Sequence, residues 1–353
     1  MSPVTTDPSK NFQEFPPFPT HSLTLLPELF ATGDADPRSP AGPGAENALR
    51  LERAREVIAS HWGLPRDSLL FVADRYLAFY LSIMGFLATK AFGEIVYSPI
   101  EKKEVLAIVG GIDPAIHRVR ASVDMDGKVT LPSTSSGLRI HQIRNGETGI
   151  SQPSIPEAPV VIDATSLPPV TLSLPREWRA VVMDACSWGG PRGVYPLAIN
   201  PAHPWRNPFP TLDTSLPTFG SNYALTLLAA TSLEAYIEID RGKIDEANLR
   251  IREILSEIDD VDMAGSATGD RLSLSFLYIQ SEELQRRLAQ EGFLVDSGSA
   301  CSSSALEPSH VLTEMGLLSQ GNVRLRFRPE NLTQAEPLAR ALAHHVQAMR
   351  DEL

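Results

Sequence analysis

Positive charge, cysteine and long apolar runs are all scarce in this chain of 353 residues. The net charge of −12 argues against nucleic acid or a membrane surface as a partner, since both need a clustered positive surface. The apolar runs are far shorter than a membrane span. The two cysteines, Cys186 and Cys301, cannot build a disulfide framework, so a reducing cytoplasm is the expected location.

Metal-site patterns are also missing. None of the eight histidines has the spacing to cysteines or carboxylates that a zinc site requires, and we therefore predict no bound metal. Residues 1–15 are polar and rich in proline, which predicts a disordered tail.

The pattern of short apolar segments predicts two domains. From 16 to 228, segments such as SLLFVA (68–73) and EIVYS (94–98) alternate with helical stretches. That alternation predicts a large α/β domain with a mainly parallel sheet covered on both faces. From 229 to 353, fewer strand-like segments alternate with helices, which predicts a smaller α+β domain.

Three segments give more specific predictions. Residues 45–63 have helical periodicity, and the residues expected on the buried face are Leu49, Leu51, Ala54, Val57 and Ile58. Residues 131–156 are rich in Ser, Pro and Gly and are predicted to be mostly loop. The charged stretch DRGKIDEAN (240–248) is predicted to interrupt a helical region and link the domains.

Ligands of parallel sheets bind at the carboxyl ends of the strands. Two apolar runs end at Asp163 and at the glycine-rich stretch 184–190, so a binding site is expected there.

The stretch DSGSACSSSALEPSHVLTEMG (296–316) surrounds Cys301 with small polar residues that make a poor core. Its S-G-S-A-C followed by L-E-P-S-H-V-L resembles the catalytic-cysteine loop of the cysteine desulfurases, in the class V aminotransferase group of pyridoxal-phosphate (PLP) enzymes. LERAREVIAS, IEKKEVL, VVIDATS and CSWGGPRGV follow the same family's order more weakly. The resemblance implies a fold type I PLP-dependent transferase fold and a homodimer.

The resemblance also implies roles for the positions of a PLP site. Asp163 matches the aspartate that pairs with the pyridinium nitrogen, and Ser166 replaces the glutamine that supports the ring oxygen. Lys102 replaces the histidine that stacks on the ring, and Ser187 replaces the Schiff-base lysine. The phosphate-binding turn of small residues corresponds to VADRYLA (72–78), with its acidic Asp74.

On the substrate side, the resemblance implies an arginine that holds the substrate carboxylate. Arg326 is the preferred candidate and Arg324 the alternative. Cys186, which replaces the histidine beside the lysine position, is either an inert residue or a resolving partner for Cys301.

These residues predict a desulfurase-like protein that has lost PLP chemistry, binds no cofactor and uses Cys301 as a persulfide acceptor between a sulfur donor and an acceptor protein. One alternative is a non-catalytic partner subunit of a true desulfurase. The other is an active PLP-dependent cysteine desulfurase, or another PLP enzyme, with a non-standard site that uses Lys102 or no lysine at all.

Overall fold

A computed structural model describes residues 7–14, 20–31, 35–36, 39–132, 137–209, 222–236, 240–297 and 308–353. The Cys301 loop, 298–307, lies outside these residues. None of the described helices is long and apolar enough to cross a membrane.

In the described part of the chain the strands are β1 (Leu69–Val72), β2 (Glu94–Tyr97), β3 (His117–Arg120), β4 (Ser122–Val123), β5 (Val129–Thr130), β6 (Leu138–Gln142), β7 (Val160–Asp163), β8 (Trp178–Val182), β9 (Tyr195–Ile199), β10 (Val261–Ala264), β11 (Arg271–Phe276), β12 (Asp296–Ser297) and β13 (Val323–Arg326). The helices there are α1 (Thr20–Ala31), α2 (Gly42–Trp62), α3 (Arg75–Leu87), α4 (Lys103–Gly110), α5 (Tyr223–Tyr236), α6 (Arg241–Leu255), α7 (Ser281–Gln290), α8 (His310–Met315) and α9 (Ala335–Asp351).

The large domain is built on a seven-stranded sheet with the order β1-β9-β8-β7-β6-β2-β3. β9 pairs antiparallel with both of its neighbours, whereas the other neighbouring pairs are parallel. Separate apolar clusters, one including α2 and α5 and the other including α3 and α4, pack against the sheet. The α/β architecture predicted for this region is therefore confirmed, with the short apolar strands buried between helical layers.

The C-terminal part folds around a four-stranded antiparallel sheet with the order β10-β11-β13-β12. α6, α7 and α9 supply the apolar residues that cover it. Polar and apolar residues alternate along β11, RLSLSF, and both of its faces are buried. Its polar face is satisfied internally, because the Asn322 amide donates to Ser273 Oγ at 2.9 Å and to Ser275 Oγ at 3.0 Å.

Three sequence predictions need correction. The segment 131–156 contains the fully buried strand β6, which the Ser, Pro and Gly content of its neighbours hid. DRGKIDEAN is helical, because Asp240 caps the first turn of α6 by accepting from Gly242 N. Leu49 is 72% exposed, since α2 turns Ala54 and Ile58 toward the core instead.

The domain limits also differ from the prediction. Residues 7–14 are not a disordered tail: Phe12 is fully buried, its ring packs edge-on against Phe327, and its amide donates to Leu294 O at 2.8 Å. These residues therefore belong with the C-terminal sheet. The predicted boundary at 228/229 falls inside α5, which packs against α2, so the large domain extends to the end of α5.

Candidate functional site

Every strand of the large sheet except β9 runs in one direction and ends at the same edge, and five of these strands, β1, β2, β6, β7 and β8, lead into the site. The residues at or just after these ends are Asp74, Glu101, Gln142, Asp163 and Asp184. This edge is where ligands bind in open α/β sheets. The four residues assigned to the cofactor site follow strands at this edge: Lys102 follows β2, Ser187 follows β8, and Asp163 and Ser166 lie at and after the end of β7.

Asp163 is fully buried at the end of β7. Its Oδ1 accepts from the backbone amide of Thr165 at 2.8 Å and from the Thr165 hydroxyl at 2.6 Å. Its Oδ2 accepts from the Gln142 amide at 3.3 Å. The turn after the strand therefore satisfies one carboxylate oxygen, and the neighbouring strand supplies a donor to the other.

Ser187 lies in a single 3-10 turn, Ala185–Trp188, which follows β8. Asp184 caps the turn by accepting from Cys186 N at 2.9 Å, and Gly189 ends it with a left-handed backbone at φ 76°. Ser187 is 2% exposed, and its hydroxyl has no hydrogen-bond partner among the described residues. A hydroxyl cannot form an imine, so this position supplies no Schiff base.

Cys186 is buried beside it. Burial, followed by the charge of Asp184, raises the pKa of this thiol well above its ordinary value. A thiol with a raised pKa is a poor nucleophile, which favours the inert interpretation of Cys186 over the resolving one.

The N-terminus of α3 corresponds to the expected phosphate-binding turn. Asp74 caps this helix through its Oδ1, which accepts from Leu77 N at 2.9 Å. Arg75, the first residue of α3, donates from Nε to Glu104 Oε1 at 2.9 Å. Burial opposes the charge of Arg75, but Glu104 and Asp184 outweigh it and raise the arginine's pKa. At this helix N-terminus, the Leu77 amide is therefore already bonded to Asp74, and the Arg75 side chain is already bonded to Glu104.

Lys102 and Ser166 meet across the site, with Lys102 Nζ donating to Ser166 Oγ at 3.0 Å. Gly146 packs against both groups, since a Cβ there would lie 2.7 Å from Ser166 Oγ and 2.9 Å from Lys102 Nζ. The lysine amine is therefore already hydrogen-bonded in a closely packed contact.

Arg326 reaches the site from the C-terminal sheet and donates to the carbonyl oxygen of Ser187 at 3.0 Å. Arg324 lies elsewhere on β13, with its guanidinium bonded to Ser297 O and 3.7 Å from Glu147. Arg326 therefore lies against the Ser187 turn, and its role toward a substrate carboxylate stays a prediction.

Sequence reasoning missed two buried polar residues at this edge. Glu101 is 1% exposed and neither of its carboxylate oxygens has a hydrogen-bond partner in the described chain. His141 is 6% exposed, and its Nε2 also has no such partner there. Both line a cavity of about 10 Å³, enough for about one water molecule. For Glu101 the available signal is the segment IEKKEVL, which contains it. For His141 the available signal is the alternation of apolar and polar residues in LRIHQ, the sequence of β6.

Asn145 and Glu14 were also missed. The Asn145 side chain accepts from Glu147 N at 2.9 Å and Thr148 N at 3.0 Å and donates to Ile100 O at 3.1 Å, so it shapes the loop after β6. The N-G-E-T-G sequence there is a recognisable turn signal. Glu14 lay in the stretch predicted to be disordered.

Comparisons with known proteins agree with this architecture. The cysteine desulfurase IscS of Dictyoglomus turgidum is 26% identical over 325 residues, which cover 80% of this chain and 79% of that protein. A cysteine desulfurase of Gluconacetobacter diazotrophicus is 26% identical over 323 residues, covering 82% of this chain and 80% of the relative. No family model matches the chain.

Solved structures show the same fold at lower identity. A NifS-like protein superposes with a TM-score of 0.81 at 20% identity, covering 96% of this chain and 99% of its own. The apo cysteine desulfurase from Thermococcus onnurineus superposes with a TM-score of 0.80 at 17% identity, covering 96% and 94%. The chain has the fold of the fold type I PLP-dependent transferases, and it is similar in sequence to cysteine desulfurases over about four fifths of its length.

Proposed function

We propose that the chain is a cysteine-desulfurase-like protein that has lost PLP chemistry and carries sulfur on Cys301. The observation that carries the first half of this proposal is Ser187. It is buried at the position that the resemblance gives to the Schiff-base lysine, and it has a hydroxyl in place of an amine. Neither a covalent anchor for the aldehyde nor an amine for proton transfer at the substrate is available from this residue.

The phosphate side of the site does not fit PLP either. A phosphate binds a helix N-terminus through free backbone amides and the positive end of the dipole. At α3 the Leu77 amide is already bonded to the Asp74 carboxylate. A phosphate dianion would have to displace Asp74 from the Leu77 amide and compete with Glu104 for the Arg75 guanidinium, so binding there is disfavoured.

An active enzyme that uses Lys102 is the alternative to this proposal. Its amine would first have to leave Ser166 Oγ, which lies 3.0 Å away, and Gly146 leaves little space around it. Asp163 favours this alternative, since it is fully buried and the resemblance gives it the role of partner to the pyridinium nitrogen.

Sulfur transfer to Cys301 needs none of these groups. The Cys301 thiolate attacks the outer sulfur of a donor persulfide, and the sulfur–sulfur bond of the donor breaks as the new one forms. The donor leaves as a thiolate, so the exchange balances without an oxidant. Cys301 lies outside the described residues, and its role is supported by its small polar neighbours in the sequence and by the resemblance.

The first experiment tests the cofactor. The protein is produced with ample pyridoxine, and its visible absorption is recorded before and after borohydride. We expect a colourless protein. A coloured band that borohydride reduces onto Lys102, located by mass spectrometry, would refute the loss of PLP chemistry.

The second experiment tests the thiol. The chain is incubated with an active cysteine desulfurase and radiolabelled cysteine, and the label is followed on non-reducing gels with and without dithiothreitol. We expect reducible label on the wild type and on Cys186→Ser but none on Cys301→Ser. A wild-type chain that binds the desulfurase and never takes up label would be a partner subunit. The expected homodimer is measured by sedimentation in the same samples.

A further inference from the structure

Buried arginines outnumber carboxylates where the N-terminal segment crosses the C-terminal sheet. Arg144, Arg271 and Arg326 are each at most 6% exposed, and Arg328 is half-buried beside them. The Asp270 carboxylate lies 2.6 Å from Arg144 and 3.5 Å from Arg326. One carboxylate cannot neutralise four guanidinium groups, so this cluster requires a second anion.

Glu14 supplies that anion. Its carboxylate binds Arg271 through two hydrogen bonds, at 2.8 and 2.9 Å, which is the bidentate geometry of a strong arginine–carboxylate pair. Its Oε1 also accepts from Arg326 at 3.1 Å. Burial opposes ionisation of Glu14, but Arg271, Arg326 and Arg328 outweigh it and lower the glutamate's pKa.

The backbone on either side of Glu14 is fixed in place. Arg326 N donates to Phe12 O at 2.8 Å, and Glu14 N donates to Asp296 Oδ2 at 2.6 Å. Arg328 donates to the carbonyl oxygens of Gln13 and Glu14, each at 2.6 Å. The carboxylate is therefore delivered by an anchored segment, and it acts at a high effective concentration.

We propose that Arg271 and Arg326 form a carboxylate-binding site whose resident ligand is the Glu14 side chain, while Arg328 holds the backbone beside it. Arg326 also donates to the carbonyl oxygen of Ser187, so this site adjoins the position that the resemblance gives to the Schiff-base lysine. On the proposed function, the carboxylate of a free amino acid would need these arginines, and Glu14 excludes it. The carboxylate-binding site itself is inferred from the contacts of Glu14 alone and does not depend on the proposed function.

The test compares Glu14→Ala with Glu336→Ala in the full-length protein. Glu336 also contacts two arginines, Arg250 and Arg340, but their side chains are 48% and 66% exposed, against 4% and 5% for Arg271 and Arg326. Thermal unfolding is followed in sodium acetate and in sodium chloride at matched ionic strength. Losing the partner of buried charges should lower the Tm of Glu14→Ala by roughly 4–7 °C, whereas Glu336→Ala should shift it by about 1 °C or less.

Acetate distinguishes a binding site from a general loss of stability. We expect acetate to restore most of the lost Tm of Glu14→Ala, with an effect that saturates as the acetate concentration rises. For the wild type and Glu336→Ala, we expect the same Tm in acetate as in chloride. A Glu14→Ala protein as stable as the wild type, or one that responds equally to both salts, would overturn the proposal.

A second variant covers the case in which Glu14→Ala does not fold. Glu14→Gln keeps the shape of the side chain and removes its charge, and the proposal requires its Tm to be lower than that of the wild type. Equal stability would overturn it. Neither readout depends on PLP colour or on labelling of Cys301, so the site and the proposed function can fail separately.

Discussion

Glu101 should make the protein less stable as the pH rises through neutrality. Its side chain is 1% exposed. Burial, then the negative charge of Asp163, raise its pKa from 4.5 to about 8, against the opposing charge of Lys102. The folded protein therefore holds Glu101 in its neutral form, while the unfolded chain ionises it above pH 4.5.

The sign follows from proton linkage. The stabilising contribution of neutral Glu101 is complete below pH 4.5 and is lost as the pH rises to about 8, because the unfolded state releases its proton first. Each pH unit in that window is worth about 1.4 kcal/mol, for a total of about 5 kcal/mol. Between pH 6.5 and 8 the loss is about 2 kcal/mol on the same basis.

In the upper part of this pH range, the change in stability due to Glu101 can be measured without a contribution from its neighbour His141. Burial lowers the pKa of His141 from 6.5 to about 4, so its stabilising contribution is lost only as the pH falls below 6.5. Well above pH 6.5 this histidine is neutral in both states. Its effect therefore opposes that of Glu101 in acid and adds nothing to the slope above neutrality.

The assay is urea denaturation of the wild type and Glu101→Gln at intervals from pH 6.5 to 8. We expect the free energy of unfolding of the wild type to fall by about 2 kcal/mol more than that of the variant. Glu104→Gln is the matched control: burial opposes the ionisation of Glu104, but Arg75 outweighs it and lowers its pKa, so it is charged throughout this range. Its substitution should lower stability without changing the slope. Equal slopes for the wild type and Glu101→Gln would refute the assignment of a neutral buried carboxyl.

Three substitutions test other parts of the structure. Phe12→Ala should cost about 3–5 kcal/mol by chemical denaturation because the ring is fully buried, whereas Phe30→Ala, at a site 52% exposed, should cost about 0.5 kcal/mol; equal costs would show that the N-terminal segment does not pack. Gly85→Ala should lower stability by about 1–3 kcal/mol, since its Cβ would overlap the Trp205 indole, and an unchanged midpoint would contradict this packing. Ser187→Lys should give no borohydride-reducible absorption with PLP, because the phosphate position stays blocked, and a stable coloured adduct would show that the lysine alone was missing.

The unexpected parts of the fold have local physical explanations. Strand β6 was hidden because its neighbours are rich in Ser, Pro and Gly, although its own residues, LRIHQ, are all buried in the centre of the sheet. The sequence predicts a disordered tail around Phe12 because the segment is polar, and Leu294, which accepts the backbone hydrogen bond of Phe12, lies far away in the sequence. Strand pairing over such distances leaves no periodic signal in a short segment.

The sequence by itself determined the alternation of strands and helices, the candidate positions Asp163, Ser187 and Lys102, and the identity of the side chain at each. Periodicity is a local property, so the alternation could be read along the chain, whereas the candidate positions follow from the resemblance to the cysteine desulfurases. The tertiary structure alone decided which charges meet. Glu14 binds Arg271 and Arg326 across more than 250 residues of intervening sequence, because folding places an N-terminal carboxylate against a buried excess of arginine. Pairing of buried charges depends on distance in space, which the order of residues does not specify.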